Sequence, residues 1–141
     1  MSGTARSTLS PGSRISPPRP VWLVPAASTA VAVAIWVVAA PLAGAELLVD
    51  SVVGPMEVDL ASVVLGSAIG GFGAVAVGWL ARRRSSSPRR HFLVATGLIL
   101  ALSLVGPATT ALSAATALWL CSMHLAVGAL AIPLVASRLP D

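Results

Sequence analysis

Four long apolar runs, separated by short polar breaks, dominate the chain. The first, VWLVPAASTAVAVAIWVVAAPLAGAELLV from Val21, carries no charge until Glu46. The second, LASVVLGSAIGGFGAVAVGWLA, ends at Arg82. The third, HFLVATGLILALSLVGPA, is the shortest, and the fourth, LSAATALWLCSMHLAVGALAIPLVA, stops at Arg138. A spanning helix needs about 20 apolar residues at about 1.5 Å of rise each. A spanning strand needs about 9–11 residues of alternating polarity; these runs are about twice as long and do not alternate. In hydrocarbon, only a helix satisfies every backbone group within its own segment. The pattern therefore predicts an all-α fold, a four-transmembrane-helix bundle over residues 21–138. Its helices are expected at about 22–48, 58–81, 91–109 and 112–136.

The breaks between the runs are equally informative. Residues 1–20, MSGTARSTLSPGSRISPPRP, hold too little apolar surface to offset ordering entropy and are expected to form a disordered tail. Pro25 falls in the first turn of helix 1, where a missing N–H is harmless, whereas Pro41 should kink that helix or end its straight part. DSVVGPMEVD reads as a short polar connection with a Gly54-Pro55 turn. Ala43-Gly44-Ala45 also fits an A-x-A cleavage site, which leaves a three-helix mature protein as an alternative.

Composition makes the membrane reading compulsory. The 141 residues are 56% hydrophobic and only 10% charged, with mean hydropathy +0.90. An ordinary soluble domain is about 25% charged, so a water-facing surface cannot be built from this chain. That excludes a soluble enzyme. The single cysteine, Cys121, excludes an internal disulfide framework. All nine basic residues are arginines, and they fall in three places. Arg6, Arg14 and Arg19 precede helix 1; Arg82, Arg83, Arg84, Arg89 and Arg90 lie between helices 2 and 3; Arg138 follows helix 4. With four spans, all three places share one side, and Glu46, Asp50, Glu57 and Asp59 collect on the other. Basic residues near helix ends mark the cytoplasmic side. Both termini are therefore expected in the cytoplasm, with the protein in a bacterial inner membrane. Trp22 and Trp79 then sit at the inner interface. Charge so distributed is a topology signal and implies no nucleic-acid partner.

Within the apolar runs, a few positions carry chemistry. His124 is ionisable and lies well inside helix 4. Such a group is a functional candidate by default, able to relay protons, ligate a metal or hydrogen-bond a substrate; a structural contact across helices is the plainer reading. Counting rises from the helix ends puts Ser103 at nearly the same depth, so it is the expected hydrogen-bond partner of His124. Thr96, Ser103 and Thr110 recur every seven residues along helix 3. Ser113, Ala117, Cys121, His124 and Gly128 make a facing stripe on helix 4. Helix 2 carries Ser62, Gly66, Gly70, Ala74 and Gly78, each four apart. Such spacing favours close helix contact, within the chain or across a homodimer; Ala26, Ala30 and Ala34 form a weaker version on helix 1. Glu46, Asp50, Glu57 and Asp59 form an acidic outer rim, read as a cation vestibule or as a solvated loop. The RRRSSSPRR loop can contact anionic lipid headgroups or act only as a topology anchor. No nucleotide loop, metal-ligand spacing, nucleophile elbow or intramembrane carboxylate pair is present, so no catalysis, cofactor or metal is expected.

At LSLVGP (102–107) and MHLAVGALAIP (123–133) the chain resembles the small bacterial four-helix membrane proteins catalogued as domain of unknown function 6069. The shared features are Ser103, Gly106 and Pro107 on helix 3 and Met123-His124 on helix 4. The resemblance covers about residues 20–138. It implies four spans and draws attention to Ser103 and His124, without implying a reaction. The expected function is that of a non-catalytic membrane component or partner subunit. The alternative is a small oligomeric transporter or channel using the His124/Ser103 level and the Glu46 rim.

Overall fold

A computed structural model describes residues 20–141; the expected tail, with Arg6, Arg14 and Arg19, lies outside the described residues save for Pro20. Four helical segments are long and apolar enough to cross a membrane: Leu23–Leu42, Leu60–Arg84, Pro88–Thr110 and Ala114–Ala136. Their up-and-down order sets Arg82–Arg84, Arg89, Arg90 and Arg138 at one end of the bundle and the four acidic residues 46, 50, 57 and 59 at the other.

Helix α1 (Leu23–Val37) opens with Pro25 in its first turn and widens into a π-helical turn at Val38–Leu42. Pro41 sits inside that turn and offers no N–H, so Ala43 N reaches back five residues to Val38 O at 2.9 Å. Gly44, at φ +65°, then turns the chain out of the helix. Helix 1 therefore ends before residue 48, and Glu46 lies exposed in a connection rather than at a helix end.

The polar connection is not a simple loop. Strands β1 (Leu48–Ser51) and β2 (Gly54–Glu57) form an antiparallel hairpin with Leu48 opposite Glu57 and Ser51 opposite Gly54. Three long-range bonds seat it on the bundle. Trp36 Nε1 donates to Val58 O (3.0 Å), Thr116 Oγ1 to Glu46 O (3.0 Å) and Leu112 N to Leu48 O (3.0 Å). Leu47, 1% exposed, plugs the acidic end against Ala39, Val63 and Leu120.

Helix α2 (Leu60–Arg84) is capped by Asp59, whose Oδ1 accepts from Ser62 N at 2.8 Å. Hydrogen bonding from Ser62, hydroxyl first and backbone N–H second, holds the Asp59 carboxyl below its usual range. The cap is thus fully present above the ordinary carboxylate range and is lost as pH falls through the lowered value. Arg82, Arg83 and Arg84 fill the last turn, where the helix dipole favours cations.

Helix α3 (Pro88–Ser103) begins with Pro88 in its first turn, and α4 (Val105–Thr110) continues the same span after a break at Leu104. Pro107 explains that break: it lacks an N–H for Ser103 O, and its ring crowds that carbonyl. The straight helix thus stops earlier than the Gly106-Pro107 signal suggests. Helix α5 (Ala114–Ala136) is capped by Ser113, whose Oγ accepts from Thr116 N at 3.0 Å.

Packing divides into two apolar cores. Near the arginine end, Val24 and Phe92 are wholly buried with Ala131 and Val135. Toward the acidic end, Ala32, Val63, Leu120 and Met123 join Leu47. Elsewhere large apolar side chains such as Leu65, Ile69, Phe72, Leu98 and Leu118 are exposed. With hydrocarbon as the solvent, that outer belt is the expected surface.

Candidate functional site

The register of α2 determines what the bundle leaves open. Its buried positions are Val63, Ser67, Gly71 and Gly78, a face one residue round from most of the small-residue stripe. Gly71 makes the close helix contact: a Cβ there would lie 2.5 Å from Pro25 Cα on α1. By contrast, Cβ atoms at Gly66 and Gly73 would meet nothing within 4 Å, and one at Gly70 only Val127 Cγ1 at 3.7 Å. Of the five expected packing residues, Gly78 alone is tightly covered, with Val135 Cγ1 2.5 Å from its would-be Cβ. Gly66 and Gly70 are therefore not close-packed within the chain, while Ala74 packs against the core near the arginine end. Helix α1 shows the same offset, burying Val24, Pro25, Ser28 and Ala32 while Ala26, Ala30 and Ala34 stay exposed.

The stripe instead lines a groove. Helix α3 touches its neighbours at Phe92, beside Gly78, and at Leu100, against Gly128. Between those contacts α2 supplies glycines with no side chain to close the gap. The result is a cavity of about 510 Å³ walled by α2, α3 and α5, within the size range of ligand sites. Gly66, Ile69, Gly73 and Ile99 are exposed along its mouth, so it opens sideways, toward where lipid would lie.

His124, Ser103 and Thr96 all line this cavity. The expected bond between Ser103 and His124 is not formed. Ser103 Oγ donates to Leu100 O (2.7 Å), and His124 Nδ1 lies 2.8 Å from Leu120 O. The preceding turn of each helix offers a nearer acceptor than the facing helix does. Thr96 Oγ1 likewise donates to Phe92 O (2.7 Å). A carbonyl only accepts, so in this contact Nδ1 of His124 carries the hydrogen.

Ser67, which the sequence reading passes over, also lines the cavity and donates to Val63 O at 2.6 Å. Its signal was its place between the same-face positions Val63 and Gly71. Ser28 was missed too: its hydroxyl is fully buried on α1 with no partner, and it lies outside the groove lining.

The acidic rim is dispersed. Asp50 and Glu57 sit on opposite strands of the hairpin, Glu46 lies before it, and Asp59 is committed to its cap. Among the described residues, no three His, Cys, Asp or Glu side chains converge as metal ligands would. At the other end, Arg82, Arg83, Arg84, Arg89 and Arg90 are all exposed. The Arg83 guanidinium stacks 4.1 Å over the Trp79 ring, and Arg89 Nη1 pairs with Asp141 at 2.8 Å. His91 Nδ1, 2.7 Å from Ser85 Oγ, ties the start of α3 to the connection before it.

A model of the family of unknown function DUF6069 matches residues 13–141, the whole bundle and its three connections. The chain belongs to the DUF6069 family. No curated protein and no solved structure matches it. What this DUF6069 member does must therefore be argued from its own groove.

Proposed function

We propose that this DUF6069 protein is a non-catalytic membrane component whose working surface is the groove between α2, α3 and α5. One observation carries the reading: Ser62, Gly66, Gly70 and Ala74 all line that open groove, and a Cβ at Gly66 or Gly73 would meet nothing within 4 Å. A bundle built for packing alone would cover such residues, because close approach is what small residues give helices in lipid. The guest enters from the bilayer, as a lipophilic molecule or as a helix of a partner subunit or second copy. A photo-crosslinking side chain at position 73, in native membranes, is expected to give one discrete adduct. The same group at the exposed Leu65 should return only bulk lipid. Matching adduct profiles at both positions would contradict the reading.

The arginine end is proposed to face the cytoplasm of a bacterial inner membrane, by the positive-inside rule, with Arg82, Arg83, Arg84, Arg89 and Arg90 at the level of anionic headgroups. A cysteine placed at Ser86 should be shielded from impermeant reagents outside intact cells; labelling there would reverse the orientation.

A second reading is transport by an oligomer. It is favoured by His124, Ser103 and Thr96 sharing one cavity. It requires proton or solute flux in reconstituted vesicles that falls when His124→Phe is introduced, and unchanged flux removes it.

A further inference from the structure

A second cavity lies at the arginine end, between the same two helices α2 and α3. Its polar residues are Arg84, Ser85, Ser86 and His91; its other residues are apolar and include Val77 and Ala95. Val77 also lines the groove, and Ala95 of the second cavity is followed on α3 by Thr96 of the groove. One α2–α3 seam therefore changes from polar and basic at the connection to apolar along the glycines. That is the profile of an amphiphile.

The polar part is a fixed structure. Ser87 N donates to Ser85 Oγ (3.0 Å), and His91 Nδ1 lies 2.7 Å from Ser85 Oγ and 3.0 Å from Ser87 O. These contacts hold the end of α2 against the first turn of α3. Charge at this end is one-sided. Glu46, Asp50, Glu57 and Asp59 lie at the far end, and Asp141 is paired with Arg89. Among the described residues Arg84 has no carboxylate partner, and Arg82, Arg83 and Arg90 stand exposed around it. The field there favours an anion and disfavours an ammonium. Length fits as well. From Val77 to Gly66 the groove follows α2 for eleven residue rises, about 16 Å. Half of a hydrocarbon core is about 15 Å, the depth that one acyl chain covers below its headgroup.

We propose that the α2–α3 seam binds one anionic phospholipid. Its phosphodiester sits with Arg84 and Ser86 at the connection, and one acyl chain runs past Val77 along Gly73, Gly70 and Gly66. This rests on the groove being the working surface, and it names the guest. Arg84 offers a phosphate a planar fork of donors. The surrounding arginines select a headgroup without an ammonium, so phosphatidylglycerol is preferred to phosphatidylcholine. The single adduct expected at position 73 is then an anionic phospholipid.

The test places the intact chain in phosphatidylcholine nanodiscs doped with phosphatidylglycerol carrying a mid-chain diazirine, and maps the labelled peptides. Saturable labelling of α2 around Gly70 and Gly73 is expected. Unlabelled phosphatidylglycerol should compete about fivefold better than added phosphatidylcholine, the effect of one basic residue at the surface. Arg84→Gln should make the two competitors equal. Arg83→Gln should leave the preference intact, because Arg83 stacks on Trp79 and does not line the cavity. Gly73→Leu, whose Cβ meets nothing within 4 Å, should block the chain and abolish labelling. Equal losses from Arg83→Gln and Arg84→Gln would reduce the effect to general surface charge and overturn the site. Competition by glycerol 3-phosphate as strong as that of the lipid would assign the polar cavity to a soluble phosphate and overturn the lipid. A discrete adduct at position 73 that is a polypeptide, or a lipid without phosphate, also overturns it while leaving the groove as the working surface. No groove labelling by either route overturns both.

Discussion

Gly71→Ala is expected to destabilise the bundle by about 2 kcal/mol or more, and Gly71→Leu to separate α1 from α2. The added Cβ would lie 2.5 Å from Pro25 Cα and 3.1 Å from Pro25 N. These are backbone atoms, so no side-chain rotation relieves the clash. Overpacking a close contact typically costs about 1–3 kcal/mol, and here the whole of α1 must move. The contrast lies two residues on. Gly73→Ala meets nothing within 4 Å and improves helix propensity, so it should be neutral or stabilising. Gly70→Ala gains only an ordinary contact with Val127 at 3.7 Å. Equilibrium unfolding in mixed micelles measures all three variants. Gly71→Ala and Gly73→Ala of equal stability would show that α2 packs in a different register.

That register is the feature the sequence does not disclose. Spacing of four runs through Gly66, Gly70 and Ala74, and equally through Val63, Ser67 and Gly71. In water, one of two such faces would be polar and the choice would be visible. In lipid, both the packed and the free face are apolar, so periodicity shows that stripes exist without showing which one touches a helix. The spans themselves were plain, because run length and the absence of charge fix them. The hairpin escaped notice because its strands are only four residues each and its apolar residues continue the pattern of helix 1. Pro41 marked the place of the change, and Gly54 the turn. Depth was legible where bonding was not. Residue rises placed His124 and Ser103 at one level, and both line the same cavity. Their expected hydrogen bond fails because each side chain finds a carbonyl one turn back along its own helix.

The second large effect concerns the gap between α2 and α3. With Cys121→Ala as background, Gly70→Cys paired with Val127→Cys should oxidise readily. A Cβ at position 70 would lie 3.7 Å from Val127 Cγ1, a place that the sulfur of a cysteine at 127 can take, so the two thiols are brought within reach of each other. Gly70→Cys paired with Ile99→Cys should not oxidise, because the two residues stand on α2 and α3 as walls of the same cavity. The predicted result is therefore a covalent α2–α5 link without an α2–α3 link at the same level, read as proteolytic fragments held together or released after oxidation in native membranes. Bridging of positions 70 and 99 at a rate matching 70 and 127 would mean that α3 closes onto the glycines of α2 and that no groove exists.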